Sequence, residues 1–254
     1  MSTGGLYPDP PHLTVAVYSR HPEERSFAAF CDLARQAGCR PTGRVEVAPW
    51  DVPFEYRSDL ADIAAQLTLD PARLTTVLAG QDTARRAVRA GFIHRTHGIA
   101  VVEYLPAPAP DRHPIGLSVS AGALGIPEHL HARTDRSAAR TLARWTTTLL
   151  REASARCDAE YGGIGVELRL GTPGQLRAGS ATIPSELFVS HRLLTADPAL
   201  ESALRAGFSP ATQTTWPHGA FFTGWRPFSR GDTLPDIPHR FRASSTELGN
   251  ATRQ

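Results

Sequence analysis

Hydrophobic positions along this chain follow two periods, and their order predicts a sheet carrying helices. His12 to Ser19, HLTVAVYS, sets Leu13, Val15 and Val17 against smaller or polar neighbours, the two-residue alternation of a strand. The period then lengthens. In FAAFCDLARQAG, with Ser26 as a plausible cap, Phe27, Phe30, Cys31, Leu33 and Ala34 share one helical face before Gly38 stops the run. RVEVAPW, Arg44 to Trp50, predicts a second strand ending near proline.

Between Pro53 and Ala90 the pattern predicts two amphipathic helices, SDLADIAAQL and DPARLTTVLAGQDTARRAVRAG, capped at Ser58 and Asp70, with Pro71 at the first helical position. Arg85, Arg86 and Arg89 then suit the negative end of the second helix. FIHRTHGIAVVEYL, Phe92 to Leu105, has the β-branched and aromatic content of a strand pair or of one long bent strand, with Gly98 as a bulge or turn. A loop rich in proline, Pro106 to Pro114, separates it from another strand through Ile115, Leu117 and Val119.

The longest predicted helix starts at Asp135 or Ser137 and runs through Tyr161, with Leu142, Trp145, Leu149, Leu150 and Ala153 at three- and four-residue steps. CDAEYGGIGVELRL follows its apolar stripe. Gly162 or Gly163 fits a left-handed helix stop, and Ile164, Val166, Leu168 and Leu170 fit the inner face of a strand. Short strands are expected around Leu187 to Leu194, a helix from Asp197 and Pro198, and a final aromatic hairpin or edge strand in WPHGAFFTGWRPFS. Strands fall in adjacent pairs rather than in strict β–α alternation, which predicts an α+β fold: a mixed, mainly antiparallel sheet with helices packed largely on one face. Residues 1–11 are expected to be a flexible lead, 12–230 a single domain and 231–254 a mobile tail.

Composition narrows the function classes. The 254 residues have 41% hydrophobic and 20% charged positions and no run of about 18 apolar residues, so a soluble globular protein with no membrane partner is expected. MSTGGLYPDPPH has neither a basic nor an apolar signal region, which points to the cytoplasm. Three widely spaced cysteines, Cys31, Cys39 and Cys157, fit reduced buried thiols and give no zinc spacing. The chain has no lysine, so its 27 basic residues are all arginine, the codon usage of a GC-rich bacterium. Those arginines alternate with Asp and Glu along the sequence, which argues against a nucleic-acid partner.

Catalytic signatures fail one by one. The glycines at 162, 163 and 165 lack the dinucleotide spacing and follow a helix where a phosphate loop follows a strand. GLSVSAG has no glycine at the second position of a nucleophile elbow. His129 and His131 in EHLH could present two metal ligands from an extended segment, but no third ligand is identified, so neither metal nor cofactor is expected. For acid–base chemistry the strand FIHRTHGIAVVEYL supplies the candidates: Glu103, isolated in VVEYL and either on the solvent face, the default for such a residue, or held by a partner such as Arg95, with His94 and His97 beside it. For partner binding the candidates are Trp216, His218, Phe222 and Trp225, aromatic anchors that core packing would also explain.

The order of pieces in the C-terminal half, ARWTTTLLREASARCDAEYGGIGVE, then LFVSHRLL, a short helix and WPHGAFFTGWRPFS, resembles bacterial polymorphic-toxin immunity proteins of the immunity protein 52 group. The resemblance implies a non-enzymatic cytoplasmic protein that neutralises a cognate protein toxin; it carries over no site residue. The alternative is an enzyme of bacterial specialised metabolism, its small-molecule substrate held near His94, Arg95, His97 and Glu103.

Overall fold

The computed structural model describes residues 6–49, 65–68, 85–124, 133–208, 212–223 and 241–252. The alternation in HLTVAVYS builds β1 (His12–Ser19), which directs Leu13, Val15 and Val17 into one core and Ala16 and Tyr18 into another on the opposite face. β1 lies inside the sheet, between β6 (Ile115–Ser120) and β7 (Ala159–Val166). The remaining strands are β2 (Cys39–Pro49), β3 (Ala65–Thr68), β4 (Arg85–His94), β5 (Gly98–Tyr104), β8 (Glu186–Ser190), β9 (Gln213–Trp216) and β10 (Gly219–Thr223). Their order is β3-β2-β4-β5-β6-β1-β7-β8-β10-β9, antiparallel at every described pairing.

The two longest helices cover one face. α1 (Glu23–Gln36) brings Phe27, Phe30, Cys31 and Leu33 onto it, and α2 (Arg133–Arg156) brings Leu142, Leu149, Leu150 and Ala153. α1 ends as predicted, with Gly38 at φ 92°, a left-handed conformation that glycine adopts without penalty. It starts earlier than predicted: Pro22 is the cap, and the Ser26 hydroxyl donates to the Ser19 hydroxyl and the Pro22 carbonyl. The shorter helices, α3 (Pro173–Arg177), α4 (His191–Ala196), α5 (Pro198–Gly207) and α6 (Phe241–Ala251), bury Leu176, Leu193, Leu200, Leu204 and Leu248 against the other face. Asp197 caps α5 as predicted, accepting from Ala199 and Leu200 N–H at 3.0 Å.

Several predicted elements change. Residues 65–68 and 85–91, expected to be helical, are in β3 and β4. In β4 the pattern that decides is Val88, Ala90 and Phe92 on the core side with Arg89 between them, a strand alternation that the arginines and alanines also allow to be read as a helix. The helix-to-strand turn comes before the glycines: α2 stops at Arg156, Asp158 takes the positive φ (45°), and Gly162 and Gly163 lie within β7. LFVSHRLL splits at Ser190, whose hydroxyl accepts from Leu193 N–H and starts α4. Part of the expected tail is α6, joined to α3 by Arg177 donating to the Gly249 carbonyl at 2.8 Å. The expected flexible lead is likewise placed from Leu6 on, where Leu6 is buried. Among the described residues no helix is long and apolar enough to cross a membrane.

β7 contains glycine because its neighbours approach too closely for a side chain. A Cβ at Gly162 would stand 2.7 Å from the Ala16 carbonyl oxygen, and one at Gly163 would meet the Pro184 ring and lie 2.9 Å from the Glu186 carbonyl oxygen. Gly163→Ala should therefore cost about 2–3 kcal/mol in urea denaturation through overpacking. Gly165→Ala, whose Cβ has ordinary contacts from 3.4 Å, should cost under ~1 kcal/mol; equal effects at both positions would contradict this account.

Candidate functional site

Glu103 has a defined environment, different from the predicted one. On β5 the alternation sends Ala100, Val102 and Tyr104 to the helix side and Glu103 to the other; on β2 and β4 it does the same for Glu46 and Arg89. The antiparallel registers place Glu46 opposite Arg89 and Arg89 opposite Glu103. Arg89 spans both, with Nη1 2.9 Å from Glu46 Oε2 and Nε 3.1 Å from Glu103 Oε2. The Tyr7 hydroxyl donates to the same Glu103 oxygen, and the Arg89 guanidinium sits 4.9 Å from the centre of the Tyr7 ring. Ser118 donates to Glu103 Oε1 at 3.3 Å and is itself 2.9 Å from the Thr14 hydroxyl.

This polar stripe crosses five neighbouring strands, from β2 to β1, and leaves Glu103 only 6% exposed. Burial, then the nearby Glu103 carboxylate, raises the Tyr7 phenol well above its ordinary value, so Tyr7 remains a donor. Both oxygens of Glu103 are occupied. A general base needs an acceptor open to a substrate proton, whereas this carboxylate is engaged by Arg89, Tyr7 and Ser118. The predicted partner Arg95 is exposed in the β4–β5 turn; Arg89 takes its place because it is the residue opposite Glu103 in the ladder.

His94 and His97 are not near Glu103. His94 pairs with Gly98 at the end of β4–β5, about 17 Å along the strands from Glu103 at ~3.3 Å per residue. It also faces the helix side. The two imidazoles stack at 4.5 Å and lie 5.2 and 4.8 Å from the Trp145 ring of α2. His94 Nδ1 accepts from Thr96 and His97 N–H, both at 3.1 Å, which assigns the proton to Nε2, facing the Ala37 carbonyl. Trp145 Nε1–H donates to that carbonyl as well, at 3.1 Å. Burial lowers both histidine pKa values, and His94 lowers that of His97 further.

The aromatic candidates are largely packing. Trp216 is buried, stacked on Phe221 with ring centres 4.4 Å apart, and Phe222 is buried in the other core against Phe208. Successive strand positions point to opposite faces, so Trp216 and Phe222 do not form one patch. His218 is exposed in the β9–β10 turn; Trp225, His129 and His131 lie outside the described residues. Among the described residues no three His, Cys, Asp or Glu side chains are grouped to hold a metal.

A second buried charge cluster was not predicted. Glu23, in the first turn of α1, accepts at Oε1 from both the backbone and the ring of His113, at 2.7 and 2.8 Å, and at Oε2 from Arg86. Burial raises the Glu23 carboxyl, but hydrogen bonds and charge from His113, with Arg86, outweigh it and hold the group below the usual carboxylate range. Nothing in the sequence links positions 23, 86 and 113; reading Arg86 as a strand residue is the signal that brings it to α1. A cleft of about 330 Å³ lies elsewhere, between Pro106 and the β7–α3 loop, lined by Leu105, Leu168, Leu170, Gln175 and Ala181 among others. None of the predicted site residues lines it.

No protein-family model matches the sequence, and no curated protein does. Among solved structures, a Pseudomonas aeruginosa T6SS protein, PA0821, is similar at 10% identity and a TM-score of 0.44, over 94% of this chain and 72% of that one. A likeness of that degree identifies neither a family nor a function.

Glu103→Gln should destabilise the fold by about 2–3 kcal/mol in chemical denaturation, since it leaves Arg89 with one carboxylate, and Tyr7→Phe by about 1 kcal/mol. Unchanged stability in both would contradict the stripe's structural role. His94 and His97 bind protons less readily folded than unfolded. The stability they allow is complete above roughly pH 6.5, the ordinary histidine value, and is lost as pH falls from there through the lowered folded values. Between pH 7.5 and 5, melting temperature should fall less in His94→Gln/His97→Gln than in the parent chain; equal falls would show that the pair is not responsible.

Proposed function

We propose that the chain is a non-enzymatic binding protein of the immunity type, which neutralises a cognate protein toxin by complex formation. The observation that carries this proposal is the state of Glu103: closed by Arg89, Tyr7 and Ser118, and far along the strands from His94 and His97. An acid–base enzyme built on those residues would need them around one substrate, with reacting groups within hydrogen-bond reach. The partner class comes only from the resemblance of the order of pieces in the C-terminal sequence to immunity proteins.

The test is expression of the polypeptide encoded beside this chain in a heterologous bacterial host, alone and together with it. The expected result is growth arrest relieved by co-expression, with both polypeptides co-eluting from size exclusion. Unrelieved arrest together with separate elution would overturn the proposal. Glu103→Gln, assayed at a temperature where it remains folded, should relieve arrest as well as the parent chain does; full loss of protection would return Glu103 to an active role.

A further inference from the structure

The β4–β5 hairpin turns through Arg95, Thr96 and His97, and the His94 side chain closes that turn. His94 Nδ1 accepts from the N–H of Thr96, two residues on, and of His97, three residues on, each at 3.1 Å. Asn and Asp close turns in this way with a side-chain oxygen; here the acceptor is an imidazole nitrogen, which a proton can remove. The ring is held from its other side. Nε2 faces the Ala37 carbonyl at the end of α1, the same carbonyl that receives Trp145 Nε1–H at 3.1 Å. His97 stacks on His94 with ring centres 4.5 Å apart, and both half-buried rings lie against Trp145.

We infer that this hairpin tip is a pH-operated latch, closed while His94 Nδ1 is bare and opened by a proton at that atom. An imidazolium has two N–H donors and no acceptor, so Nδ1–H would point at two N–H groups that lose their partner. A proton on His97 as well would set two like charges on stacked rings. The tip has a hinge in Gly98, at φ 73° with nothing within 4 Å of where a Cβ would stand. Trp145 keeps its own hydrogen bond to Ala37 when His94 leaves, so the contact between α1 and α2 outlasts the opening.

The elements around the rings bring cations and neutral groups. The turn carries Arg95, β2 carries Arg40 and the buried Cys39, whose thiol burial pushes up to about 11, and α2 carries Arg144 beside Trp145. Arg156 donates to Gln36 at the end of α1. The carboxylates on the neighbouring stretches, Asp32 and Glu152, are paired with Arg35 and with Arg151, the latter at 3.8 Å. The carbonyl end of α1 favours a cation, but it acts at Nε2, which carries a proton in both states. Burial lowers both ring pKa values, so the latch is closed at neutral pH; it opens as pH falls from roughly 6.5, the ordinary histidine value, through the lowered values of the closed tip.

The test is NMR on the full chain from about pH 7.5 to about pH 5. Ring ¹⁵N shifts should show His94 Nδ1 bare at the upper pH and protonated at the lower. Amide exchange, corrected for its intrinsic pH dependence, should lose about tenfold of protection per pH unit below ~6.5 at Thr96 and His97, while the β1 signals stay in their native positions. In His94→Asn the side-chain oxygen accepts the same two N–H groups and does not titrate, so the tip should stay protected throughout. His97→Gln should keep the response, because its backbone N–H is the latched group. A proton on Nδ1 at the upper pH, flat protection in the parent, or loss of the β1 signals in step with the tip would each overturn the latch. An equal pH response in His94→Asn would do the same; the parent spectra decide alone if that variant does not fold.

Discussion

Arg89 is the residue on which the second face of the sheet depends. It is one cation between two carboxylates on neighbouring strands, so the register of β2, β4 and β5 must hold for Glu46 and Glu103 both to reach it. A slip of β4 by one residue would turn Arg89 into the helix-side core and leave Glu46 and Glu103 without their shared cation. The N-terminal segment closes the arrangement through Tyr7. Removing one member of such a network costs more than its pairwise contacts, because the others stay buried without their partner.

Much of this fold was legible in the sequence. Two-residue alternation marked β1, β5 and β6, and helical spacing marked α1, α2 and α5, because in those segments one face is apolar without interruption. The same signal failed at β4. Arg85 to Gly91 is rich in arginine and alanine, residues that favour helices when isolated, and its assignment as a strand comes from pairing with β2 and β5. At Gly162 and Gly163 the helix-stop signal was also satisfied by something else: close approach of Ala16 and Pro184 across the sheet, which no local pattern records.

The candidate site was legible as a list of residues but not as a geometry. Glu103 stood out as a carboxylate in an apolar strand, but the default expectation for it was the solvent face, and the structure buries it against a partner instead. Its partner lay across the ladder and not nearby in sequence, so Arg89 was missed and Arg95 chosen. His94 and His97 are adjacent to the same strand pair, yet strand parity and length put them on the opposite face at the far end.

These points converge on a chain whose buried ionic groups hold strands in register. The most direct measurement is a double-mutant cycle between Arg89→Met and Glu103→Gln, read by urea denaturation. Structural coupling predicts an interaction energy above ~1 kcal/mol, with the double variant less destabilised than the two single effects added together. Additive losses, with no coupling between the two positions, would contradict the account.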